Sequence, residues 1–137
     1  MQRFSVAGRS TEQFGRNRYT VPQILIVEDD SRSRRTLHLA LAAHGYQVSD
    51  AADGKQALDV FAARAPELIV LDWHLPEFDG IQTCRSLRAV SAVPILMVSG
   101  NRLNTRAVAL EAGATDYLPK PFSVDELLAM IQSALQP

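Results

Sequence analysis

Short apolar runs alternate with helix-length amphipathic segments along this chain, and that alternation is what most restricts its fold. Runs at 24–27, 68–71 and 95–98 are each four residues of Ile, Leu, Val and Met, the composition of strands covered on both faces. Shorter runs near 46–49 and 116–118 read as edge or near-edge strands. Between the runs lie segments with a helical period. Residues 31–44 start with Ser31 as cap and stop before Gly45, with Leu37 and Leu41 on one face. Residues 54–65 group Ala57, Leu58 and Phe61, residues 80–90 space Ile81, Cys84 and Leu87, and residues 103–112 group Leu103, Ala107 and Leu110. The last segment runs through Val124, Leu127, Leu128, Ile131 and Leu135, and Ser123 with Glu126 forms a capping box at its start. Five β-α repeats predict an α/β fold, a doubly wound parallel sheet with helices on both faces.

Length and composition narrow the functional classes. A chain of 137 residues is one domain's worth, with 47% hydrophobic and 21% charged residues and a formal charge of -1. That balance favours neither nucleic acid nor a membrane surface as an obligatory partner. No apolar stretch approaches the roughly 18 residues of a membrane span, and a single cysteine, Cys84, suits a reducing compartment, so the cytoplasm is expected. Residues 1–22 carry four arginines against one glutamate and no apolar period, which predicts a flexible N-terminal extension ahead of a domain at 23–137.

Carboxylates close two of the apolar runs. Glu28, Asp29 and Asp30 follow the first and Asp72 follows the third, while Ser99 ends the fourth and Lys120 follows the fifth. Parallel strands end on one edge, so these groups are expected to converge there. In the strand order 2-1-3-4-5, strands 1 and 3 are neighbours about 4.8 Å apart, which sets Glu28 and Asp29 opposite Asp72. Three carboxylates that close call for a hard cation, and oxygen ligands of this kind suit Mg²⁺. Asp30 reads as a cap or flank of the first helix. His38 and His44 lie on that helix, away from His74, and make no zinc set.

The segments VEDD, LDWHLPEFDG, MVSG and DYLPKPF, in that order and at that spacing, resemble the receiver domain of response regulators in two-component signal transduction. The resemblance covers residues 23–136 and implies a flavodoxin-like (βα)5 three-layer sandwich. It implies Asp72 as phosphoacceptor, attacking the phosphoryl group of a phosphohistidine. Glu28 and Asp29 match the acidic pair that holds Mg²⁺ with Asp72, and His74 would add its backbone carbonyl. Lys120 and Ser99 match the groups that meet phosphoryl oxygens. Pro76 and Gly80 match the loop after the acceptor, and Pro121 the proline of a Lys-Pro bond that is commonly cis. Tyr117 matches the aromatic switch: Ser99 moves toward the phosphate, the ring turns inward, and the face of helix 4, strand 5 and helix 5 changes.

The implied partners are a histidine kinase or phosphotransfer protein and a downstream effector protein or domain. A phosphorylation-dependent homodimer could use Arg102 or Arg106, Asp116 and Glu126, although Met130 stands where receivers of winged-helix regulators typically have arginine. The domain itself would bind neither DNA nor membrane. It would be a phosphoacceptor that catalyses its own phosphorylation and dephosphorylation rather than a turnover enzyme, acting alone or as a piece of a larger regulator or hybrid kinase. Two other readings compete. An aspartyl phosphatase would want DxD after the first strand, where this chain has Glu28-Asp29-Asp30. A phosphorylation-independent pseudo-receiver would usually have lost an acid or the lysine, and all are present here.

Overall fold

The computed structural model describes residues 21–76, 79–100 and 105–136. Five strands, β1 (Gln23–Val27), β2 (Gln47–Ala51), β3 (Leu68–Asp72), β4 (Ile95–Ser99) and β5 (Asp116–Pro119), alternate with five helices. The helices are α1 (Ser31–Ala43), α2 (Gly54–Arg64), α3 (Gly80–Val90), α4 (Thr105–Glu111) and α5 (Val124–Leu135). All strand pairs are parallel and the order is β2-β1-β3-β4-β5. The flavodoxin-like three-layer sandwich expected from sequence is therefore the fold, with β2 and β5 at the edges.

Each central strand divides its side chains between two cores, as the two-residue period of a strand requires. Leu25, Val27, Ile69, Leu71, Ile95 and Met97 enter one core with Ala57 of α2, Leu87 of α3 and Ala109 of α4. Ile24, Ile26, Leu68, Val70, Leu96 and Val98 enter the other with Leu41 of α1 and Leu127 and Ile131 of α5. Both faces of the central sheet are dry, which is why these strands read as unbroken apolar runs.

Three local expectations are corrected. The α1 cap is Asp30 and not Ser31: the Asp30 carboxylate accepts the Ser33 N–H at 2.8 Å, and Ser31 is already helical. β2 begins and ends later than 46–49, because its ladder with β1 runs from Gln47 to Ala51 and draws in polar Ser49 and Asp50. On α4 the inward face is not that of Ala107 and Leu110, which are exposed; Thr105 and Ala109 are buried instead. A small Ala109 lets the short helix lie close to β5. Leu103, Arg102 and the extension at residues 1–20 lie outside the described residues.

Arg88 and Gly80 fix loops at opposite ends of the parallel strands. Arg88 of α3 donates to the carbonyls of Gly113, Ser91 and Val93 at 2.9, 3.0 and 2.7 Å, joining the loops before β4 and β5. Gly80 starts α3 with its N–H on the Trp73 carbonyl at 2.9 Å. A Cβ at Gly80 would lie 2.6 Å from Trp73 Cα and 2.9 Å from Trp73 O, and would also strike the Asp72 carbonyl. Those are backbone atoms, so the loop after Asp72 must move to admit it. Gly80→Ala is expected to cost about 1–3 kcal/mol, read as a fall in the urea midpoint; an unchanged midpoint would show that the loop yields freely.

Candidate functional site

The carboxyl ends of β1, β3, β4 and β5 bring the predicted groups together. Glu28 follows β1 and is buried, its N–H tied to the Ala51 carbonyl at 3.0 Å. Asp72, the last residue of β3, is also buried. The pairing of β1 with β3 runs from Ile24↔Leu68 to Val27↔Leu71, which sets the residues that follow side by side. Glu28, Asp29 and Asp72 offer carboxylate oxygens that all lie within 4.8 Å of one another, with Asp29 the exposed member. These are oxygen donors only, on a site with excess negative charge, and they fit a hard divalent cation.

Lys120 is the counter-charge. Its N–H donates to the Ser99 carbonyl at 2.7 Å, and its ammonium donates to Glu28 Oε1 and Asp72 Oδ2 at 3.3 Å each. The Lys120–Pro121 peptide bond is cis, as expected. Burial acts to lower the lysine pKa, but the two carboxylates outweigh it and the net shift is upward, so Lys120 stays charged. Glu28 moves the other way from an ordinary carboxylate. Burial chiefly, and the neighbouring Asp72 charge, push it up to about 7 against the lowering pull of the Asp30 N–H and Lys120. One carboxylate more than Lys120 can balance is thus held in a dry place.

Asp72 is oriented by two donors, Lys120 on Oδ2 and the His74 N–H on Oδ1 at 3.2 Å. The His74 imidazole is exposed, and its Nε2 comes within 3.5 Å of Ser99 Oγ, an approach the sequence did not suggest. Ser99 itself is fully buried. Pro76 lies exposed in the loop that follows Asp72. Arg34 was also missed in the sequence. It reaches back from α1 to the carbonyls of Glu28 at 2.8 Å and Asp29 at 3.4 Å, fixing the backbone of the acidic pair. Its six-residue separation from Glu28 was the available signal, since the second turn of a helix can return to the loop before it.

Tyr117 is not at the surface of β5. It is 7% exposed, its ring among the core residues under α4, with its hydroxyl 2.7 Å from Thr105 Oγ1 and 3.5 Å from the Ser99 carbonyl. The inward ring expected only after Ser99 shifts is the one the structure holds, with Ser99 Oγ toward His74. Asp116 and Arg106, both expected at a dimer surface, form an ion pair with each other at 3.1 Å. Met130 packs partly buried against the α1/α5 core. Among the described residues no helix is long and apolar enough to cross a membrane.

Comparison with known proteins agrees with this geometry. The family model for the response regulator receiver domain matches residues 24–132. Response regulator MprA of Mycolicibacterium vanbaalenii is 42% identical over 116 residues, which are 83% of this chain and 50% of that protein. The chain therefore spans about half the length of the curated relatives it matches. Among solved structures, the BeF3-activated N-terminal receiver domain of Klebsiella pneumoniae RstA superposes with a TM-score of 0.80 at 32% identity, covering 84% of this chain and 99% of that one. Chemotaxis protein CheY4 of Vibrio cholerae gives 0.80 at 29% identity, covering 85% and 100%.

Proposed function

The chain belongs to the response regulator receiver family of two-component systems, and from that premise we propose that it is a phosphorylation switch with Asp72 as its phosphoacceptor. The observation that carries this reading is the buried Asp72 carboxylate, held by Lys120 and the His74 N–H beside a second buried acid. In the reaction, an Asp72 carboxylate oxygen forms a bond to phosphorus while the phosphorus–nitrogen bond of a phosphohistidine breaks. The imidazole leaves with the electron pair and takes a proton from water, and Asp72 becomes an acyl phosphate. Hydrolysis of that acyl phosphate returns the carboxylate. The donor is a histidine kinase or phosphotransfer protein of the cytoplasm, and the recipient of the signal is an effector domain or protein.

The residues divide this work. Lys120 neutralises charge on the phosphoryl oxygens, and the Ser99 hydroxyl donates to another of them. Glu28, Asp29, Asp72 and the His74 carbonyl would hold Mg²⁺, which supplies the remaining positive charge for the transferring group. Burial excludes competing water from Asp72. The protein thereby promotes its own phosphorylation and dephosphorylation without acting as a turnover enzyme.

Trp73, the single tryptophan, adjoins Asp72 and reports on the site. Beryllofluoride with Mg²⁺ is expected to change its emission saturably, and neither component alone should reproduce the full change. No change with both present would count against the reading.

Glu28 gives this binding a pH dependence. A proton and a metal compete for a carboxylate whose pKa is about 7. Mg²⁺ affinity measured through Trp73 is expected to weaken about tenfold between pH 8 and pH 6, and to approach a further tenfold loss per pH unit only below that. A flat affinity over this range would remove Glu28 from the ligand set.

A further inference from the structure

Tyr117 lies on an edge strand whose one strand neighbour is β4, so its ring has two places to go, under α4 or out toward solvent. We infer that Thr105, the first residue of α4, is a positioning residue that holds Tyr117 in the inward place and so sets the output face toward its switched form. The inference rests on the phosphorylation-switch reading and adds a residue that the switch has not so far been assigned.

Three observations carry it. The Thr105 hydroxyl and the Tyr117 hydroxyl are 2.7 Å apart in a buried setting, with Thr105 5% and Tyr117 7% exposed. A hydrogen bond there has little water to compete with it. The Tyr117 hydroxyl also faces the Ser99 carbonyl at 3.5 Å, and that same carbonyl accepts the Lys120 N–H at 2.7 Å. One carbonyl at the end of β4 thus joins the phosphoryl site to the ring, and Thr105 joins the ring to α4. Finally, Arg106 pairs with Asp116 at 3.1 Å, a second tie between the same turn of α4 and the start of β5. The pair is exposed and worth little by itself, but it keeps Thr105 over the ring.

With Thr105 holding the ring, Tyr117 keeps the inward place while Ser99 Oγ lies toward His74. Phosphorylation then strengthens an arrangement already favoured, and the strength of the Thr105–Tyr117 bond fixes the basal level of output. Removing one buried hydroxyl partner shifts a two-place equilibrium by roughly five- to tenfold.

Thr105→Val keeps the shape and removes the hydroxyl, whereas Thr105→Ser keeps the hydroxyl and removes a methyl. Native wild-type and variant proteins would be treated with tetranitromethane, and nitration of Tyr117 measured by peptide mass spectrometry against Tyr46 as internal reference. Thr105→Val is expected to raise Tyr117 nitration roughly five- to tenfold relative to Tyr46, and Thr105→Ser to return it near the wild-type rate. Equal Tyr117 nitration in wild type and Thr105→Val would overturn the inference. Loss of protection in Thr105→Ser as large as in Thr105→Val would overturn it too, by showing that the methyl and not the hydroxyl holds the ring. Incubation of the same proteins with acetyl phosphate and Mg²⁺ keeps the underlying reading separate. If none gains a phosphoryl group, the phosphoacceptor reading fails while the nitration ratios still decide what Thr105 does.

Discussion

Asp72→Asn is expected to gain no phosphoryl group from acetyl phosphate and Mg²⁺ under conditions that load the wild-type chain fully. An amide lacks the nucleophilic oxygen charge of a carboxylate. The fold should survive, because the amide oxygen can keep one of the two donors, the His74 N–H or Lys120, and Lys120 retains Glu28. A second effect follows from the electrostatics. Asp72 helps to raise Glu28 to about 7, so Asp72→Asn should bring the Glu28 pKa down toward its ordinary value. A folded pKa raised above the unfolded one means that the folded state holds a proton the unfolded state has released. The wild type therefore has this contribution in full below about pH 4.5 and loses it as pH rises through about 7. The size is about 3 kcal/mol as an upper figure. Chemical unfolding at pH 5 and pH 8 should show a smaller drop in Asp72→Asn than in the wild type, and an equal drop would assign the pH dependence to another group.

Lys120→Ala has the other large effect. Its ammonium is the cation that meets both Glu28 and Asp72. Breaking a fully buried pair costs about 3–5 kcal/mol, but the lysine side chain is 36% exposed, and solvent screening brings the expectation to roughly 2 kcal/mol. The loss should be largest above about pH 7, where Glu28 is ionised, and Mg²⁺ should restore part of it. The variant is expected to bind Mg²⁺ and yet fail to change its α4-β5-α5 face with beryllofluoride. Normal signalling by Lys120→Ala would show that the lysine is a structural counter-ion only.

The fold was legible because its central strands are buried on both sides. Leu25 and Ile26 point into different cores, yet both must be apolar, so the run appears in sequence without any need to know its neighbours. The edge strand β2 was harder, since Gln47, Ser49 and Asp50 carry no apolar signal and its limits come from the ladder with Val27 and its neighbours. The face of α4 was misread because Ala109 and Thr105 are smaller and less apolar than Leu110, while closeness to β5 selects small residues. At the site, Glu28, Asp29, Asp72, Ser99 and Lys120 were legible because parallel strands deliver their ends to one edge. Arg34 and Thr105 were not, since each acts through a backbone carbonyl or another side chain whose position only the folded chain supplies. The inward Tyr117 was foreseen as a place the ring could take, but not that it would be the one held.

The most direct test of the account is the intact mass of the wild-type chain after incubation with acetyl phosphate, with and without Mg²⁺. One added phosphoryl group is expected, dependent on Mg²⁺, labile to hydroxylamine as an acyl phosphate must be, and localised to Asp72. A chain whose mass stays unchanged, and whose Trp73 emission also ignores beryllofluoride with Mg²⁺, would contradict it and leave a receiver fold that works without phosphate.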